Sequence, residues 1–358
     1  MKMKENAIDR LIEKIKQTNN PTVIGIDTGY EKIPDCIKEK YSQDISGTCK
    51  AILEFNKGLI DATYDIIPAV KINIAFYEMY GIEGMKTFEE TCKYAKEKQM
   101  IVIADIKRGD IGTTAQCYSN AFLGKTKIGE KEESIFDIDF VTLNPYMGID
   151  SIKPFIEDCK KYNKGAFILV KTSNPSSGEL QDLKLETGEE IYTKVAKLVE
   201  SWGENLRGKY GYSSISAVVG ATYPEQLKQI RRTAPHTYFL IPGYGAQGGK
   251  AQDIALGFDQ KGLGGLINAS RSLMCAYKSE RWKDQYTRRT IQGSNTCRSN
   301  KNERRTKFGY LRDRSPVAIN GYWRPVPEIA KIGKGGKFNG RDVISRINKK
   351  RAIKTRHL

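Results

Sequence analysis

Eight short apolar runs recur along residues 1–286, each giving way to glycine or polar residues at its carboxyl end. The first four are Thr22 to Asp27 (TVIGID), Ala69 to Ile74 (AVKINI), Met100 to Ile106 (MIVIADI) and Phe140 to Tyr146 (FVTLNPY). The others are Ala166 to Ser173 (AFILVKTS), Ile215 to Thr222 (ISAVVGAT), Tyr238 to Tyr244 (YFLIPGY) and Gly264 to Ser270 (GGLINAS). Near-continuous apolar runs of this length predict strands buried on both faces. Between them, Thr48 to Asp65, Thr87 to Lys98 and Glu189 to Arg207 read as helices, the last with Ile191, Val195, Leu198, Val199 and Trp202 at helical spacing. Eight strand–helix units predict an α/β fold, a (β/α)8 TIM barrel of parallel strands, with an open doubly wound sheet as the structural alternative.

In a barrel the carboxyl ends of the strands meet on one face, where active sites sit. The polar groups expected there are Asp27, Lys71 and Asn73, Asp105 and Lys107, Asn144, Lys171 to Asn174, Thr222, Gly243 to Gln247, and Ser270 with Arg271. The densest chemistry is in IVIADIKRGDIGTT, residues 101–114. Period-two alternation sends Asp105 and Lys107 to the same side of a strand, with Asp110 in the loop beyond. Such a group either works on a charged substrate or forms an ion-pair network that only supports the fold. Pro242 to Gly249 (PGYGAQGG), after the seventh strand, is a candidate phosphate loop with Arg271 as a bidentate partner. Gly243, Gly245 and Gly248 also match a dinucleotide fingerprint, but that motif belongs after a first strand. The two histidines, His236 and His357, lie before the seventh strand and next to the carboxyl terminus, so proton chemistry is expected to fall to lysine.

The formal net charge of +17 suggests a nucleic-acid binder until it is located. Residues 287–358 hold 20 Lys+Arg against 4 Asp+Glu, leaving 39 and 38 in residues 1–286. The chain is therefore expected to divide into a neutral globular domain, 1–286, and a basic tail, 287–358, without stable structure. Cysteines 36, 49, 92, 117, 159, 275 and 297 have no C-x-x-C spacing, which argues against a zinc site or a disulfide framework and fits a reducing cytoplasm. No run of about 18 apolar residues could span a bilayer, and MKMKENAIDR leads into the polar helix pattern LIEKIKQ without a signal-peptide core.

Asp105-Ile-Lys-Arg-Gly-Asp-Ile-Gly-Thr-Thr114 resembles the D-x-K-x-x-D-I signature of the orotidine 5′-phosphate decarboxylase family, in its bacterial K-R-G-D-I-G subgroup. The resemblance runs from about Val23 to Asp284 and includes V-K-T-S-N-P, P-G-Y-G-A-Q-G-G and N-A-S-R-S in order. It implies conversion of orotidine 5′-monophosphate to UMP and CO₂ in a (β/α)8 barrel, as a homodimer, with no metal or organic cofactor. By that resemblance Asp27 contacts the ribose and Lys71 links the ribose to the charged network. Asp105 and Lys107 form its centre, and Asp110 reaches the neighbouring subunit's site, with Ile111 and Thr114 closing around the substrate. Ser173 resembles the residue that binds the pyrimidine amide, in a loop longer than in the rest of the family. Gln247 and Arg271 resemble the phosphate grip.

A Schiff-base lyase or aldolase acting on a sugar phosphate through Lys107 is the enzymatic alternative. The tail has two readings. Adenine-rich codons permitted for Arg288 to Arg305, read one nucleotide forward, encode EELYKEAIHVEAIKMKE, an amphipathic helix, so the tail reads as an out-of-frame product. The rival is a basic extension that binds RNA through groups such as Lys349, Lys350 and Arg351.

Overall fold

The computed structural model describes residues 5–243 and 251–278, all within the first of the two units into which the chain divides, Met1–Arg324. Eight parallel strands close on themselves: β1 (Thr22–Ile26), β2 (Ala69–Asn73), β3 (Ile101–Arg108), β4 (Phe140–Leu143), β5 (Gly165–Lys171), β6 (Ser213–Val219), β7 (Thr237–Ile241) and β8 (Gly265–Ala269). Each pairs with the next, and β8 returns to β1, which excludes the open sheet. Helix α1 (Ala7–Thr18) precedes β1, and α2 (Ile45–Thr63), α3 (Gly81–Glu97), α4 (Gly112–Phe122), α5 (Ile149–Tyr162), α6 (Ile191–Trp202), α7 (Pro224–Thr233) and α8 (Ala251–Ala255) connect the strands.

The eight apolar runs are the eight strands, with shifted ends. β4 and β7 stop short of Pro145 and Pro242, which cannot donate to a ladder. Helix α3 starts at Gly81, six residues before the predicted Thr87, because its glycine-containing first turn (GIEG) hides the helical pattern. An antiparallel hairpin, Thr126–Ile128 with Lys131–Glu133, was missed; its charged residues are mostly exposed and show no apolar alternation. Among the described residues no helix is long and apolar enough to cross a membrane.

Alternation along each strand separates two cores. Ile24, Ile26, Val70, Ile72, Val102 and Val141 face outward and pack with Phe55 and Leu59 of α2, Phe88 of α3 and Phe155 of α5. Val23, Ala69, Ile101, Ile103, Phe140, Phe167, Tyr238 and Leu266 face inward and share a cluster with Ala7, Ile8, Leu11, Ile12 and Ile15 of α1. The polar-looking first helix is thus a plug. It is tied to the strands' amino-terminal ends: Asp9 accepts the Lys209 backbone N–H at 3.0 Å, and Arg10 pairs with Asp139 at 2.9 Å. A left-handed Asn19 (φ 48°) ends it. With the amino-terminal mouth filled, the barrel interior opens at its carboxyl-terminal mouth.

Leu11 is fully buried in the plug. Leu11→Ala should cost about 2–5 kcal/mol, measured as a lowered urea midpoint. An unchanged midpoint would show that α1 does not seal the barrel.

Candidate active site

At the open mouth the inward positions change character. Continuing the inward series, Val23 is followed by Gly25 and Asp27, Ala69 by Lys71 and Asn73, and Ile103 by Asp105. The register aligns Gly25 with Lys71, Lys71 with Ile103, and Asn73 with Asp105. Asp27, Lys71, Asn73 and Asp105 line a cavity of about 590 Å³, together with Lys107, Ser173 and Arg271.

Asp105 is the centre. Its Oδ2 accepts from Lys71 Nζ at 2.7 Å, and its Oδ1 accepts from Lys107 Nζ at 2.6 Å and from Thr142 Oγ1 at 2.9 Å. Lys71 also reaches Asp27 Oδ1 at 3.5 Å. Both Asp105 and Lys71 are buried, whereas the Lys107 side chain is 49% exposed and faces the cavity. Burial disfavours the Asp105 carboxylate, but Lys71 and then Lys107 outweigh it and hold its titration well below the usual range. Burial likewise opposes the Lys71 ammonium, and Asp105 followed by Asp27 overcomes it, raising its titration above the ordinary lysine value.

Lys107 takes a left-handed backbone conformation, φ 46°, where β3 shifts register against β4 between Ala104 and Arg108. A non-glycine residue there costs on the order of 1–3 kcal/mol. The shift leaves the Lys107 N–H to Thr142 Oγ1, at 3.0 Å. Thr142 was absent from the sequence-derived set, although it follows inward Phe140 by two positions in FVTL. Lys32 was also missed: it lines the cavity, donates to the Asp27 carbonyl at 2.6 Å and lies over the Phe76 ring at 4.5 Å. It follows β1 in a short 3₁₀ turn, where no periodicity marks it.

Several expected rim groups go elsewhere. Lys171 is buried but turned out of the cavity, donating to Ser177 Oγ at 3.0 Å and Asp182 Oδ1 at 2.7 Å. A register irregularity between Leu169 and Lys171 breaks the alternation that would have aimed it inward. Ser173 stays on the wall, close against Gly220, where a Cβ would lie 3.0 Å from the serine Cα. Asn144 turns its Oδ1 to the Tyr146 N–H at 3.1 Å, and neither it nor Thr222 is among the residues that line the cavity. The Asp110 carboxylate accepts the Ile111 N–H at 2.8 Å, and Asp110, Ile111 and Thr114 stand outside the lining of this chain's cavity. Gln247 and His357 lie outside the described residues. His236 sits at the closed end, its Nδ1 3.1 Å from the Gly211 carbonyl oxygen.

These shifts fix a pH dependence. The depressed Asp105 titration adds stability that is present above the unfolded value of about 3.9 and is lost as pH falls through the folded one. The raised Lys71 titration adds stability that is present below about 10.4 and is lost as pH rises through its folded value. Lys71→Met is expected to lower stability by about 3 kcal/mol at pH 7, the lower end for removing one partner of a buried pair. Urea unfolding from pH 7 to pH 3 should show that deficit shrinking; a constant deficit would mean that the pair is not responsible.

Residues 50–281 match the family described as Orotidine 5′-phosphate decarboxylase / HUMPS family. The chain is 46% identical over 278 residues to the orotidine 5′-phosphate decarboxylase of Caldicellulosiruptor bescii, covering 76% of this chain and 91% of that protein. It is 43% identical over 289 residues to that of Petrotoga mobilis, covering 79% and 95%. The solved structure of Leishmania donovani OMP decarboxylase is similar with a TM-score of 0.60 and 28% identity, covering 84% of this chain and 99% of that one. A closed barrel with a lysine–carboxylate cavity at its open mouth, and these matches across most of its length, place the chain in the orotidine 5′-phosphate decarboxylase / HUMPS family.

Proposed function

We propose that this chain decarboxylates orotidine 5′-monophosphate to UMP and CO₂, the last step of de novo pyrimidine biosynthesis, in the cytoplasm. The observation that carries the reading is Lys107 Nζ at 2.6 Å from Asp105, facing the cavity of a chain whose relatives are named decarboxylases. Breaking the bond between C6 and the carboxylate leaves an electron pair on an sp² carbon with little delocalisation. A cation fixed beside that carbon stabilises the developing charge, an effect worth roughly 3–4 kcal/mol even for one donor. Lys107 then gives a proton to C6 and regains one from water.

Around this centre we assign Asp27 and Lys71 to the ribose, Ser173 to the pyrimidine amide, and Arg271 with Gln247 to the phosphate. Phosphate contacts far from C6 supply binding energy that is usable in the transition state. Asp110, Ile111 and Thr114 are assigned to the neighbouring subunit's site in a homodimer. Support for the dimer comes from their position outside this chain's cavity, and from exposed Met79, Ile82, Ile111, Tyr146 and Met147 in the segments that follow β2, β3 and β4. The sugar-phosphate aldolase alternative has no counterpart in the relatives named above.

The domain boundary belongs to the same proposal: residues 1–286 form the enzyme, and 287–358 are an out-of-frame product. Support comes from the family match ending at residue 281 and from the shifted-frame helix. The tail lies outside the described residues.

Lys107→Ala should abolish nearly all loss of the orotate chromophore, and wild-type-like turnover would sink the mechanism. Mixing Lys107→Ala with Asp110→Ala should restore part of the activity through hybrid dimers; no recovery would count against shared sites. For the tail, reading the encoding nucleotides across codons 285–305 should reveal the shifted frame. An intact frame, together with salt-sensitive RNA binding lost on deleting residues 288–358, would establish the basic extension instead.

A further inference from the structure

Thr142 stands on β4 where the barrel interior changes from apolar to charged, two residues above Phe140 of the inner core. It is 1% exposed, and its hydroxyl is used twice. Oγ1 accepts the Lys107 backbone N–H at 3.0 Å and donates its hydrogen to Asp105 Oδ1 at 2.9 Å. A hydroxyl has one hydrogen and two lone pairs, so this pairing fixes both its donor and an acceptor direction.

The Lys107 N–H needs that acceptor because β3 leaves its register with β4 between Ala104 and Arg108, and the hydroxyl stands in for a missing ladder partner. The residue so held has a left-handed φ of 46°. One oxygen therefore clamps the strained backbone of the lysine and the carboxylate that its ammonium meets at 2.6 Å. Leu169 and Val218, on the wall formed by the next two strands, are apolar and offer no substitute.

We infer that Thr142 is the positioning residue of the Lys107–Asp105 pair, and that its hydroxyl holds the proton-donating ammonium over the reacting carbon. The inference rests on the decarboxylase reading. Ribose and phosphate contacts are assigned to other residues, so loss of the hydroxyl should affect the chemical step and leave ground-state binding alone.

The test compares Thr142→Val, which keeps the shape and loses the hydroxyl, with Thr142→Ser, which keeps the hydroxyl. In Thr142→Val, kcat should fall roughly 5- to 160-fold, the ~1–3 kcal/mol of a donor left without its acceptor converted at 1.36 kcal/mol per decade. KM and UMP affinity should stay within about twofold, because uniform binding is untouched, and Thr142→Ser should recover most of kcat. Hydrogen–deuterium exchange at the Lys107 amide should speed up in the valine variant and return to the wild-type rate in the serine variant. A valine variant with near wild-type kcat, equal impairment of both variants, or an unchanged Lys107 exchange rate would overturn the proposal. Exchange is readable without turnover. An inactive wild type would therefore count against the decarboxylase reading, while the amide measurement still decides the role of Thr142.

Discussion

Closing eight parallel strands into a barrel leaves an interior that only alternate residues can enter, and the rest of this molecule follows from how that small space is filled. At the amino-terminal end it is packed with Val23, Ala69, Ile101, Ile103 and Phe140, and capped by the apolar face of α1. At the other end the same series continues into Lys71, Asp105 and Lys107. The plug excludes water from below and the outer helices exclude it from the sides. Charges at the top of the column therefore interact in a medium far less screening than water.

In that setting an isolated carboxylate would be protonated, and an isolated buried ammonium would lose its proton. Asp105 avoids this by accepting from two lysines and a hydroxyl, and Lys71 by lying between Asp105 and Asp27. The result is an ion network rigid enough to aim one half-exposed ammonium, that of Lys107, into the cavity. Such preorganisation is what a reaction building charge on carbon requires, since the favourable dipoles and charges need no rearrangement when the bond breaks. The left-handed backbone at Lys107 fits the tendency of strain to gather where geometry serves chemistry.

Much of this was legible in the linear chain. The eight apolar runs are the eight strands, and simple alternation put Asp105 and Lys107 on the same side of β3, because a strand's side-chain period is set by its own backbone, while Lys71 stood among the polar groups at the strand ends. The charge distribution along the chain likewise separated the balanced front from the basic tail without reference to any fold. Family motifs added the roles assigned to Ser173, Arg271 and Gln247, which no periodicity carries.

The sequence by itself determined the strand set and the barrel class, and it placed Asp105 and Lys107 together at the end of β3; that Lys71 rather than Asp110 completes the group around Asp105 was decided by the fold. Only the tertiary structure decided that the polar-looking first helix is an internal plug, and that Lys171 turns away to Asp182 although its strand parity points inward. The same holds for the clamp that Thr142 places on Lys107 and for the arrival of Lys32 beside Asp27. Each of these depends on register between strands or on contact between segments far apart in the chain. Periodicity reports only on a residue's own segment; a one-residue irregularity between neighbouring strands, as between Leu169 and Lys171, reverses where a side chain goes.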